Sequence, residues 1–187
     1  CALPISVQTI NALACGKSET SDYFLFAGGD RSLEKDSPQK GFIMSFDYST
    51  GTSVYEAELN NGNSVSVYAL TVDSELNLYV AGRAEGLFEG GEEFGGKDGF
   101  IAKYDEHFEL KFIKQFGTSS FDSVQSLTIG SDGYVLAAGY SEGNIETGGA
   151  VNDSEGMKGF VIKFKPDGEV HWKKMYNAVN FWKISSL

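Results

Sequence analysis

One short phrase occurs three times in this chain, as Gly41-Phe42-Ile43, Gly99-Phe100-Ile101 and Gly159-Phe160-Val161, at intervals of 58 and 60 residues. A period of that size marks a repeat architecture. Each unit is one supersecondary element that cannot bury its apolar face alone and has to stack on its neighbours. Other landmarks keep the same beat: Ala27-Gly28, Ala81-Gly82 and Ala138-Gly139 precede the phrase, and Leu13, Leu70 and Leu127 precede those at equal spacings of 57 residues. Downstream, Val54, Phe112 and Trp172 take corresponding places after a turn.

Within a unit the apolar period is two, the mark of half-buried strands. Leu127 and Ile129 alternate with Ser126 and Thr128, and Leu70 and Val72 with Ala69 and Thr71. The best-defined unit reads as four strands, at about 123–130, 134–139, 159–165 and 170–176, with boundaries good to about two to four residues. Ser131-Asp132-Gly133 joins the first pair, its glycine providing the positive φ of a tight hairpin. Four antiparallel strands in a meander, repeated in tandem, describe an all-β chain of β-propeller blades. A β-sandwich is the alternative, but sandwich strands do not usually repeat as a whole cassette.

The units run approximately over 7–59, 64–116 and 121–176, with 177–187 as the start of a further one. Closed propellers have about four to eight blades. Three blades and an extra strand therefore lead to the expectation of an excerpt from a larger ring, with ring completion by self-association as the alternative.

The stretches Gly99-Phe100-Ile101-Ala102-Lys103-Tyr104-Asp105, Gln115-Phe116-Gly117-Thr118-Ser119-Ser120-Phe121-Asp122 and Gly130-Ser131-Asp132-Gly133-Tyr134-Val135 resemble the bacterial seven-bladed β-propeller repeat family often called SBBP. The resemblance runs through nearly the whole chain and is best in the middle unit. It implies the fold and little about activity, because that family is defined by its repeat. Two departures stand out: only Trp172 keeps the fourth-strand tryptophan, and the first unit reads Glu58-Leu59-Asn60-Asn61-Gly62 in place of Gln-Phe-Gly-Thr.

With 26 acidic against 15 scattered basic residues and a net charge of −11, the chain offers no basic face for nucleic acid. No apolar run reaches membrane-spanning length. This balance points to an extracellular, cell-surface or luminal setting. Cys15 aligns with Val72 and Ile129 and is expected on an inward strand face as a small hydrophobe. A Cys1–Cys15 disulfide and a lipid-bearing Cys1 are further readings.

Loop length gives the main functional pointer. From the Ala-Gly glycine to the Gly-Phe glycine the distance is 13, 17 and 20 residues in successive units. These connections emerge on one end of the scaffold, where binding usually resides. Residues 83–98 hold Arg83, Glu85, Glu89, Glu92 and Glu93, residues 140–158 hold Glu142, Glu146, Asp153 and Glu155, and each segment carries −3. These nine residues are the expected partner-binding set. Glu89, Glu92, Glu93, Asp153 and Glu155 are the candidates for calcium, although no Asp-x-Asp-x-Asp-Gly spacing occurs. No other cofactor is expected.

His107 and His171 fall at turns on the opposite end, and no Gly-x-Ser-x-Gly or His-Glu-x-x-His element points to catalysis. The leading expectation is a non-catalytic scaffold or binding module, with a protein partner or neighbouring subunit, or a glycan, as ligand. The alternative is one segment of a propeller enzyme acting on glycans, with its catalytic groups on other blades.

Overall fold

A computed structural model describes residues 7–17, 23–32, 37–89, 91–92, 94–150 and 156–176. Among these residues the chain is all β, in three four-stranded antiparallel sheets. Sheet 1 contains β1 (Val7–Lys17), β2 (Tyr23–Ser32), β3 (Lys40–Asp47) and β4 (Ser53–Leu59). Sheet 2 contains β5 (Val65–Val72), β6 (Leu78–Glu85), β7 (Lys97–Tyr104) and β8 (Leu110–Phe116). Sheet 3 contains β9 (Asp122–Ile129), β10 (Val135–Ser141), β13 (Lys158–Phe164) and β14 (Val170–Tyr176). A small hairpin, β11 (Gly143–Asn144) with β12 (Gly149–Ala150), is inserted into sheet 3's long connection and was not foreseen from its sequence. There is no helix among the described residues, hence none long and apolar enough to cross a membrane.

Each sheet is a simple meander, and the sheets meet face to face. The first apolar seam sets Phe26, Ile43 and Leu59 of sheet 1 against Val67, Leu70, Val80 and Phe100 of sheet 2. The second sets Tyr79, Ala81 and Ile101 of sheet 2 against Leu127, Val135, Phe160 and Ile162 of sheet 3. The first strands come closest between sheets, β1 beside β5 and β5 beside β9. This arrangement is consistent with propeller blades arrayed around a common axis.

The register corrects the repeat alignment twice. Gly29, Gly82 and Gly139 are the glycines paired with Phe42, Phe100 and Phe160, so the first unit's counterpart of Ala-Gly is Gly28-Gly29 and not Ala27-Gly28. The reason is steric. Each first strand carries a bulge at this level, and a Cβ on Gly29, Gly82 or Gly139 would run into the backbone carbonyl oxygen of Thr9, Ser66 or Ser123. Likewise Tyr55, Phe112 and Trp172 are the equivalent residues of the fourth strands, opposite Ser45, Lys103 and Lys163. Val54 does not hold that place. The β3–β4 turn is one residue longer than its counterparts, its Asp47 N–H donating to Thr52 O, whereas Asp105 donates to Glu109 O and Lys165 to Glu169 O.

Cys15 also departs from expectation. It does align with Val72 and Ile129, being paired with Leu25 as they are with Leu78 and Val135, but it is exposed. Val72 and Ile129 are covered because another sheet lies over them, and no described sheet lies over Cys15. Leu13 is 65% exposed for the same reason, against 8% for Leu70 and 7% for Leu127. Cys1 lies outside the described residues.

The close backbone approach gives a direct test. Gly82→Ala should destabilise the chain by about 3 kcal/mol or more, because the added methyl meets fixed backbone and cannot be relieved by a rotamer change. Urea denaturation reads the loss; a cost of only a few tenths would contradict the bulge geometry.

Candidate functional site

At the end of the sheets where the long connections emerge, they meet the links between sheets. Asn61 Nδ2 donates to Glu85 O at 2.8 Å, Glu85 N donates to Ser64 O at 2.8 Å, and Glu142 N donates to Phe121 O at 2.8 Å. Each longer connection is pinned by one apolar side chain. Phe88 is buried edge-on against Phe100 with centroids 5.4 Å apart, and Ile145 is buried in the second seam. Those anchors turn the acidic residues outward.

The expected partner-binding residues are therefore distributed, and no single centre gathers them. Arg83 lies over the rings of Tyr68 and Phe121 at 5.5 and 5.1 Å, a packing role between sheet 2 and the link to sheet 3. Glu85 sits 3.7 Å from Lys97, and the Glu146 carboxylate accepts the Met175 N–H at 2.7 Å, fixing its loop to β14. Glu89, Glu92 and Glu142 are exposed. Glu93, Asp153 and Glu155 lie outside the described residues. Among the described residues no three acidic, histidine or cysteine side chains converge as a metal site would require.

The Gln-Phe-Gly-Thr motif instead builds a buried polar junction. Gln115 Nε2 donates to Asp98 Oδ2 and to Gly86 O, at 2.8 and 2.9 Å, and Gln115 Oε1 accepts from Phe88 N. Thr118 donates to Asp122 Oδ2 through both its N–H and its hydroxyl, at 2.7 and 2.9 Å. Gly117 lies against both carboxylates, where a Cβ would collide with Asp98 Oδ1 and sit 2.9 Å from Asp122 Oδ2. Asp122 is fully buried, and its Oδ1 has no hydrogen-bond partner among the described residues. Burial pushes this carboxyl up and the Asp98 charge adds to the rise, opposed by hydrogen bonds from Ser141 and Thr118.

At the opposite end, a cleft of about 820 Å³ opens along the seam of sheets 1 and 2. Its walls are aromatic. Tyr55 stacks on Phe108 with centroids 4.1 Å apart, Phe26 meets the same ring at 5.9 Å, and Tyr23 and Tyr48 lie 5.2 Å apart at the rim. Two lining residues, Leu76 and Phe108, have positive φ of 64° and 61°, a left-handed conformation uncommon for large side chains. Their counterparts in sheet 3 are Gly133 and Gly168, which close the same turns onto Gly130 O and Lys165 O. Sheet 2 thus accepts backbone strain at two turns where sheet 3 uses glycine, and both strained residues line this one cleft.

Carboxylates frame it. Asp47 takes four hydrogen bonds on Oδ1 alone, from the N–H and hydroxyl groups of Ser49 and Thr50, and these hold its carboxyl at about 2. Asp105 is held at about 2 first by the Lys111 ammonium 2.5 Å away, with the His107 and Glu109 N–H groups contributing. Glu106 and His107 stand exposed at the mouth, 3.6 Å apart. His171, the other histidine, packs edge-on to Tyr134 at 5.2 Å, away from the cleft. Sequence reading missed the cleft. The signal was present in the turns, where Leu76 and Phe108 break a pattern of glycine.

Neither the family models nor the curated proteins contain a match to this chain.

Two outcomes follow. The folded chain holds the Asp122 proton more tightly than the unfolded chain, so this group's stabilising contribution is complete below about pH 4 and is lost as pH rises through the folded value. Asp122→Asn keeps an acceptor for Thr118 and removes the charge. Its urea midpoint relative to wild type should rise between about pH 4 and about pH 7; a constant difference would contradict the raised carboxyl. Separately, Phe108→Gly should be more stable than Phe108→Ala by about 1 kcal/mol, since both lose the ring and only glycine relieves the left-handed backbone. Equal midpoints would mean the turn is not strained.

Proposed function

We propose that the chain is a non-catalytic scaffold or binding module, a β-propeller segment of the SBBP type that makes protein contacts within a larger extracellular or cell-surface assembly. The supporting observation is a mismatch of exposure between equivalent positions. Leu13 on sheet 1 is exposed where Leu70 and Leu127 are buried. On sheet 3, Tyr176 is 53% exposed where its counterpart Leu59, opposite the same glycine position, is 3%. Trp172, equivalent to the seam residues Tyr55 and Phe112, is 37% exposed.

The two open faces are therefore of complementary kinds. The outer face of sheet 1 corresponds to the face with which sheet 2 meets sheet 1, and the outer face of sheet 3 to the face with which sheet 2 meets sheet 3. A further sheet of the same repeat suits either one. In the isolated chain, the available source is a second copy, joined head to tail as a heterologous contact. The outward acidic side chains of the long connections, among them Glu89, Glu92 and Glu142, remain free to steer a basic partner.

Sedimentation equilibrium tests this reading. The wild-type chain should associate, and Leu13→Glu and Trp172→Glu should each be monomeric at 20.3 kDa. Mixed together they should form a one-to-one dimer, because each retains the face the other has lost. A monomeric wild type, or a mixture that stays monomeric, would overturn the reading. Glycan turnover by the wild-type chain, abolished by carboxylate substitution, would favour the enzyme alternative.

A further inference from the structure

The aromatic cleft between sheets 1 and 2 is separate from both the long connections and the open sheet faces. Its volume falls in the range of small-molecule sites, roughly 300–1,000 Å³. Its lining combines aromatic faces with the carboxylates of Asp47, Asp105 and Glu106, and among the described residues no lysine or arginine lines it. Lys111 offsets Asp105, and among the described residues no lysine or arginine pairs with Asp47 or Glu106. The negative faces of the rings and these two carboxylates favour a cation. The Lys17 ammonium rests over the Tyr23 ring at 5.4 Å, so one face of that ring already carries a cation and the open ring faces are those of Tyr48, Tyr55 and Phe108 with the other face of Tyr23.

The hydrogen-bonding capacity of the cleft narrows the choice of cation. Asp47 Oδ1 is spent on four bonds within its own turn and Asp105 serves its turn and Lys111, so the acceptors left to a ligand are Asp47 Oδ2 and the exposed Glu106 carboxylate. A primary ammonium brings three N–H donors that need acceptors when desolvated. An alkylated nitrogen keeps the charge, presents methyl groups to the rings and asks for few or no acceptors. The strained turns mark the same cleft. Leu76 and Phe108 sit in a backbone conformation that the equivalent turns of sheet 3 reserve for glycine, and Phe108 supplies the ring on which Tyr55 stacks.

We propose that this cleft binds an alkylated ammonium group, a quaternary or methylated nitrogen, seated among the Tyr23, Tyr48, Tyr55 and Phe108 rings and facing Asp47 and Glu106. The charge of the site persists into acid, because the turn hydrogen bonds keep the Asp47 carboxyl at about 2.

Isothermal titration with choline chloride, against its neutral isostere 3,3-dimethylbutan-1-ol at matched ionic strength, tests the assignment. Choline should bind saturably and about tenfold more tightly than the isostere, the ratio that a partly desolvated cation–π site yields. Phe108→Gly should weaken choline binding about fivefold or more while leaving the chain folded, since glycine already occupies the equivalent turn of sheet 3. Glu106→Gln, at an exposed position, should weaken it about two- to threefold. Equal affinity for choline and the isostere, absence of saturable choline binding, or full affinity in Phe108→Gly would each overturn the proposal. So would preferential binding of cellobiose, which would make the cleft a saccharide site.

Discussion

Everything in this molecule depends on the burial of one sheet face against the next. A four-stranded meander covers neither of its own faces, so each sheet is stable only as a layer between others. Among the described residues only sheet 2 has both faces covered, by Phe26, Ile43 and Leu59 on one side and by Leu127, Phe160 and Ile162 on the other. Within each sheet the first strand bulges where it pairs with the second, and the bulge sets a backbone carbonyl of β1, β5 or β9 against β2, β6 or β10. Glycine at 29, 82 and 139 follows from that crowding.

The two seams are built on one plan but close differently at the turn end. Between sheets 2 and 3, Gly168 lies directly on the Phe112 ring, and a Cβ there would be 2.7 Å from it. Between sheets 1 and 2 the equivalent turn residue is Phe108, whose ring lies on Tyr55. A large side chain in a turn that elsewhere takes glycine makes that end of the seam aromatic and leaves a cleft beside it. At the other end of the sheets the asymmetry takes a polar form, with Asp122 in the place that Val65 holds in sheet 2 and the Gln-Phe-Gly-Thr motif organised around it.

Much of the scaffold was legible in the chain because its cause is local. Alternation of apolar residues places strands, and the repeat of that alternation counts sheets; the third unit's strands fall within about two residues of their expected limits. The errors of alignment were of a single kind. Ala27-Gly28 was matched in place of Gly28-Gly29 and Val54 in place of Tyr55, because repeats of nearly equal length were aligned by residue type, without the ladder that says which residues face each other. The candidate site was less legible. The acidic connections were visible by length and charge, but Phe88 and Ile145, which decide how those connections lie, look like any other apolar loop residues until a seam exists for them to enter.

What the sequence determined by itself was the element and its multiplicity: strands from a period of two, hairpins from turn residues, and a tandem array from a period near 58. Tertiary structure alone decided which apolar faces are covered and what lies beside them. Cys15, Val72 and Ile129 share one pattern and one register, yet Cys15 is exposed and the others are partly buried, since burial belongs to a pair of surfaces and not to a strand. The aromatic cleft arises in the same way. Tyr23, Tyr48, Tyr55 and Phe108 come from two sheets and four separate segments, and only the stacking of one sheet on another makes them walls of one cleft.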